Sequence, residues 1–285
     1  MSRKIKILSE SSCDLPKELL ERYGFDTVPM PVSVDGAAYK DGVDIDSKKL
    51  FELVKSTGKT PKTSAQPMGV LIDFFKSYTE QGFDVIYFSL SSKLSASANN
   101  AKLACEEVEG AYAVDTLSLS TGIALLMIKA AEYIEKNPSV SAPEVVTYIN
   151  DFISKDRASF VIDTLDYLHK GGRCSALAAF GANLLKLKPC LELIEGKIEV
   201  TKKYRGSIDL ALVEYVENKL KTSSDIDLDR VFITHSGFPS QKTVDEILKK
   251  ISQLASFKEI HITNAGAGIS CHCGPGTLGV LFLLK

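Results

Sequence analysis

The sequence predicts an α/β protein in two parts: a Rossmann-like N-terminal domain on a parallel sheet, residues 1–156, and a second α+β domain, residues 157–285. Three observations predict it. Short β-rich runs alternate with helical periodicities through the first half, the rhythm of a parallel sheet covered by helices on both faces. Past residue 156 that rhythm gives way to strands with fewer crossovers. The chain has 285 residues, 45% hydrophobic and 25% charged, enough for two domains with a sizeable core.

Taken in order, residues 4–8 form a β-rich run, and the stretch from Ser11 to Pro16 opens a helix that continues through Tyr23, with Pro16 suited to its first turn. Residues 27–34 and 38–39 read as an extended pair around the Asp35-Gly36 turn. Ser47 caps a helix over 48–55. From Pro67 a helix carries Val70, Leu71, Phe74, Phe75 and Tyr78 on one face. A buried-type strand at 85–89, a helix at 95–108 and a strand at 111–114 follow. Leu119, Ile123, Leu126, Ala130 and Tyr133 mark an amphipathic helix, and after a turn another helix runs to Lys155. In the second half the strands fall at 160–162, 189–194, 197–200, 230–234, 259–263 and 278–284. The second and third form a hairpin about Glu195-Gly196, and helices cover 207–220 and 241–254.

Composition excludes several classes. Lys plus Arg total 34 against 36 for Asp plus Glu, a net charge of −2 that argues against a dedicated nucleic-acid binder. The apolar run 123–131 is too short to span a bilayer and contains Lys129. The N-terminal residues lack a signal peptide's apolar core, so a cytoplasmic location is expected. The 6 cysteines are scattered and form no C-x-x-C pair, which suggests neither a disulfide framework nor a zinc ribbon.

Four segments carry candidate chemistry. Ser89-Leu-Ser-Ser-Lys-Leu-Ser-Ala-Ser97 follows a strand and opens a helix, where hydroxyls and free backbone N–H groups make an anion site; Ser92 and Ser95 are its candidates. The alternative is that one serine only caps the helix. Thr60-Pro-Lys-Thr-Ser-Ala-Gln-Pro67 is a hydroxyl-rich loop whose Thr63 or Ser64 would reach the same anion if the two loops meet. In the run from Asp163 to Ser175, Gly171-Gly172 bends the chain and holds Arg173 before a helix, as a partner for a carboxylate or phosphate. His169 reads as a surface or capping residue. Cys271-His-Cys273 resembles a metal set. An extended segment there would point His272 away from both thiols, so no metal is expected. No phosphate loop, dinucleotide fingerprint or H-E-x-x-H occurs, and no cofactor is expected. From the residues alone the result is an anion-binding α/β protein.

In this order the segments resemble the DegV family of bacterial lipid-binding proteins over nearly the whole chain. The landmarks are Ile7-Leu-Ser-Glu-Ser-Ser-Cys-Asp-Leu-Pro16, Thr63-Ser-Ala-Gln-Pro67, Ser91-Ser-Lys-Leu-Ser95, the Asp163 to Arg173 run, Leu187-Lys-Pro189 and His272-Cys-Gly-Pro-Gly276. The resemblance implies a long-chain fatty acid between two domains. Its carboxylate would be held by hydroxyls matching Thr63 and Ser95, with Ser64 as the neighbouring candidate and His272 near the head group. Arg173 and Ser92 would lie in the head-group vicinity or touch a partner. The resemblance further implies a carrier that presents its lipid to a separate fatty acid kinase for acyl-phosphate formation, with room for transient membrane contact. Departures are the extra Ala65, Ala96 where Gly is usual, Ala98 where an aromatic is frequent, and Glu10 for a customary Asp, read as structural only. The competing expectation is an acyltransferase or esterase using Ser95 and His272.

Overall fold

The computed structural model describes residues 3–173, 187–237 and 240–285. The first half runs β1 (Lys4–Glu10), a 3-10 turn (Ser11–Cys13), α1 (Lys17–Tyr23), β2 (Asp26–Val28), β3 (Pro31–Val34), β4 (Ala37–Lys40), α2 (Ser47–Thr57) and β5 (Lys62–Thr63). It continues with α3 (Met68–Thr79), β6 (Phe83–Ser89), α4 (Ser97–Glu106), β7 (Ala111–Asp115), α5 (Thr121–Lys136) and α6 (Ala142–Ile153). The second half runs β8 (Asp156–Val161), α7 (Asp166–Gly171), β9 (Leu187–Ile194), β10 (Lys197–Arg205) and α8 (Ile208–Thr222). It ends with β11 (Arg230–His235), α9 (Gln241–Leu254), β12 (Glu259–Asn264), α10 (Ala267–Cys273) and β13 (Leu278–Leu283).

The architecture is mixed α/β, with a parallel sheet in the first half and a second sheet in the other. The first sheet has the order β2-β1-β6-β7 and every pair in it is parallel. Six strands make the second, β10-β9-β8-β13-β11-β12, antiparallel except for β11 beside β12. The β3–β4 hairpin and β5 form a small third sheet.

Four local expectations need correction. The extended run 27–34 is two strands: β2 joins the parallel sheet and β3 the small one. Pro29 and Pro31 bracket the break and supply no N–H to a ladder. No helix opens at Ser11. The 3-10 turn ends at Asp14, held at φ 52°, and Pro16 is the residue before α1. Asp46, not Ser47, caps α2, its Oδ1 accepting from Lys49 N at 2.8 Å. Helix α4 begins at Ser97, which leaves Ser95 in the loop.

Helix α5 is not amphipathic in its first half: every residue from Thr121 to Ile128 is buried. It lies between the two large sheets, sharing one apolar cluster with Ile7 and Phe88 of the first and Phe232 and Leu281 of the second. A helix walled in by sheets on two sides needs no polar face. Because β1, β6 and β7 are parallel, the loops that leave their carboxyl ends gather on one edge, where open sheets of this kind keep their ligands.

Candidate functional site

At that edge a narrow cavity passes into the molecule, with about 890 Å³ of space between its walls, open mouth included. Thr63, Ser64, Ser95, Arg173 and His272 all line it, brought together from four separate loops and helices. Ser64 and Arg173 are exposed and mark the mouth. Met30, Leu90, Leu119, Phe160, Ile198 and Leu281 supply apolar wall. Ser92 is exposed and lies outside the lining; its backbone N–H donates to Asp115 Oδ1 at 3.1 Å.

Thr63 ends β5, paired with Val32 of β3, and its Oγ1 lies 2.8 Å from His272 Nε2. His272 is delivered by α10. Gly266 N, at the start of that helix, donates to Asp14 Oδ1 at 2.8 Å, and Ala267 N donates to Asp41 Oδ1 at 2.7 Å. Two carboxylates from the first half therefore seat the helix of the second half that carries the imidazole. Both are pushed up by burial. Burial, and then the charge of Arg173, push His272 down to about 4, so it is neutral at neutral pH. Its Nδ1 is buried without a partner among the described residues, against the backbone of Gly171. A Cβ on Gly171 would lie 2.5 Å from that nitrogen. The Gly-Gly pair thus serves two purposes: Gly171 admits the ring, and Gly172 takes φ 68° to end α7. Arg173 donates to Gly171 O at 2.5 Å and to Leu94 O at 3.4 Å. The helix expected after it lies outside the described residues.

Ser95 sits between β6 and α4. Its Oγ accepts from Ser97 N at 3.2 Å and lies 3.1 Å from Ser97 Oγ. Ser97 Oγ is in turn 3.0 Å from Glu10 Oε2, and Leu90 N donates to Glu10 Oε1 at 3.0 Å. Sequence reasoning set Glu10 aside as structural. The structure shows it fully buried at the carboxyl end of the first parallel strand, a burial that no local sequence pattern signals.

Deeper in the wall the hydroxyls are all bonded within the protein. Ser120 donates to Asp14 Oδ2, Ser159 and Tyr215 share a bond of 2.7 Å, Thr234 pairs with Thr121 and Thr263, and Ser236 donates to Gly274 O. Thr277 donates to Cys273 O at 2.9 Å. A hydroxyl whose proton is already placed presents little polarity to the cavity. At the mouth, by contrast, no bond engages the Ser64 hydroxyl among the described residues, and Thr63 bonds only to the imidazole.

Two expectations are corrected. Residues 271–273 are helical, not extended. Successive helix residues diverge by about 100°, so Cys271 packs among Val32, Val34 and Leu50, Cys273 packs beside Phe160 and Leu168, and His272 faces the cavity. Burial pushes the two thiols up to about 12 and about 11. Among the described residues no cluster of three or more His, Cys, Asp or Glu side chains is arranged to hold a metal ion. Ser95 and His272 do not form a nucleophile–base pair: Ser95 bonds to Ser97, His272 to Thr63, and no acid among the described residues orients His272 Nδ1.

Residues 4–285 match the family described as "Uncharacterised protein, DegV family". The chain belongs to the DegV family. It is 32% identical over 284 residues to a fatty acid-binding protein of Thermotoga maritima, covering 97% of this chain and 96% of that one. A DegV domain-containing protein of Caldanaerobacter subterraneus is 32% identical over 292 residues, with 98% of each covered. Among solved structures, a fatty-acid-binding DegV family protein from Thermus thermophilus superposes with a TM-score of 0.89 at 29% identity, covering 99% of this chain and 100% of that one. A stearic acid-binding protein from Eubacterium ventriosum superposes at 0.83 and 26% identity, covering 99% and 98%. DegV proteins therefore include several that bind fatty acids. No described helix here is long and apolar enough to cross a membrane.

Proposed function

We propose that this protein binds one long-chain fatty acid, with the acyl chain in the cavity and the carboxylate at Thr63, Ser64, Ser95 and His272. It then presents that carboxylate to a separate fatty acid kinase for acyl-phosphate formation. One observation carries the first part: the wall hydroxyls deep in the cavity are spent on protein partners, while at the mouth the Ser64 hydroxyl has none among the described residues and the Thr63 hydroxyl meets only the imidazole. An apolar tail inside and an anion at the mouth is the ligand that such a distribution fits. About 15 methylenes at ~0.8 kcal/mol each give roughly 12 kcal/mol of gross burial, ample after the costs of association. Several neutral donors keep a carboxylate ionised despite desolvation. With His272 Nε2–H donating to Thr63 Oγ1, the Thr63 proton is left for the ligand. Loading in this way calls for no cofactor. The ligand then lies between a lobe that ends near residue 156 and one that follows it, since Thr63 and Ser95 come from the first and Phe160 and His272 from the second. The family kinship supports the same assignment.

The experiment is native mass spectrometry of the protein as purified from cells, with organic extraction. The expected result is close to one acyl chain per protein. Repeated extraction of none, with no uptake of added palmitate, would overturn the proposal. The presenting role is tested separately, by adding a fatty acid kinase and ATP to loaded protein and following acyl phosphate.

A further inference from the structure

We propose that Glu10 holds a proton and, through Ser97, turns the Ser95 hydroxyl toward the ligand, so that the carboxyl group at the mouth is bound as its anion. This rests on the fatty-acid reading above. It follows from counting protons along the chain Glu10–Ser97–Ser95, whose links are 3.0 and 3.1 Å. Each hydroxyl has one proton to give.

If Glu10 is ionised, its Oε2 can only accept, and it takes the single Ser97 proton. To keep its 3.1 Å bond to Ser97, Ser95 must then donate inward, and it shows only lone pairs to the cavity. A carboxylate placed there meets repulsion. If Glu10 is protonated, its O–H donates to Ser97 Oγ, and Ser97 donates to Ser95 Oγ. Ser95 also accepts from Ser97 N, so its acceptor positions are filled and its own proton is free for the cavity. The two states differ by one proton, and only the second offers an anion a donor with every bond of the chain intact.

The surroundings favour the second. Glu10 is completely buried and no cation pairs with it among the described residues. The titratable groups that sense its charge are the Cys13 thiol on the turn after β1 and the Tyr87 phenol on β6. Both are buried and held neutral at ordinary pH, and neither compensates a carboxylate. Leu90 N is satisfied by Glu10 Oε1 in either state. Burial raises Glu10 above the usual carboxylate range, in the direction the hydroxyl chain requires. A second anion at the mouth adds to that preference. Glu10 is thus a positioning residue: it touches no ligand and sets what Ser95 can offer.

The test is infrared difference spectroscopy at neutral pH on protein loaded with palmitate carrying a carbon-13 carboxyl, wild type against Glu10→Gln. The label should report a carboxylate, and the wild type should show the C=O stretch of a protonated acid that Glu10→Gln lacks. The companion measurement is palmitate affinity against pH. As alkali strips Glu10 the wild type should weaken about tenfold, the worth of one charge-assisted hydrogen bond. Glu10→Gln, whose amide donates to Ser97 at every pH, should lack that fall. A protonated label, no acid band lost in Glu10→Gln, or an alkaline fall shared by both proteins would each overturn the proposal. Failure of the wild type to take up palmitate at all would count instead against the proposed function.

Discussion

Asp156 opens β8 with one oxygen, Oδ2, accepting from the Ser118 hydroxyl and the other, Oδ1, buried without a partner among the described residues. Burial pushes it up to about 6 from an ordinary 3.8. The folded chain therefore holds a proton that the unfolded chain releases, and stability falls as pH rises through that window. Asp156→Asn removes the titration. Denaturant midpoints should show the mutant more stable by up to about 3 kcal/mol above pH 6, the gap closing toward pH 4. A gap that does not vary with pH would show that Asp156 is not the titrating group. His272 has the opposite sign: pushed down to about 4, it makes the fold lose stability as pH drops below 6.5. At the mouth, Thr63→Val keeps the shape of the side chain and removes its hydroxyl. It should weaken palmitate binding about tenfold with little change in melting temperature, and Ser64→Ala should do less. The reverse order would move the principal contact to Ser64. That Thr63, Ser95 and His272 meet at one cavity was legible in the sequence because each lies in a polar or glycine-flanked segment that a core does not need, although Thr63 ends a strand and His272 rides a helix. Glu10 was not, because a strand residue with a carboxyl has no local pattern that tells a paired surface group from a buried one.

At the scale of elements, α10 shows how close packing decides what a helix can present. Its imidazole rests on Gly171 with no room for a Cβ. Gly171→Ala, which helix α7 tolerates as a backbone, should push the ring off Thr63 and lower palmitate affinity about tenfold while the fold persists. Affinity equal to wild type would mean that the ring's position is immaterial. Helix α9 matches its expected span of 241–254, since its apolar residues keep a strict period and Ser240 caps it through Thr243 N. Helix α5 was legible as a helix but not as a buried one. Its apolar stripe was visible, yet the small residues Thr121, Gly122 and Ala124 that let two sheets close around it look neutral in sequence. The split between β2 and β3 was missed for a related reason: two prolines separated by Met30 mark a break, but not that the chain changes sheets there.

For the molecule as a whole, the sequence carried the parallel first sheet through its β-α alternation. It did not carry the order of the second sheet, in which β13 from the chain's end enters between β8 and β11. That insertion helps close the cavity, since Leu281 of β13 and Phe160 of β8 both line it. Arg173 then stands where the cavity meets the surface, exposed, bonded to the carbonyls of Gly171 and Leu94. These bonds admit two roles. If the guanidinium only braces α7 against the Ser95 loop, Arg173→Ala should lower stability and loading together. We expect the other outcome, resting on the kinase role proposed above: the mutant folds and loads palmitate but supports acyl-phosphate formation poorly. Thr63, held by His272, and Ser64 and Ser95 already supply neutral donors to the carboxylate, so an exposed charge adds modestly to loading. A growing acyl phosphate, or an acidic surface closing over the mouth, gains far more from a fixed positive charge. Lipid content, melting temperature and acyl-phosphate formation should be measured on one preparation of the mutant. Loss of lipid in proportion to loss of turnover would assign Arg173 to loading and remove it from the partner-facing surface.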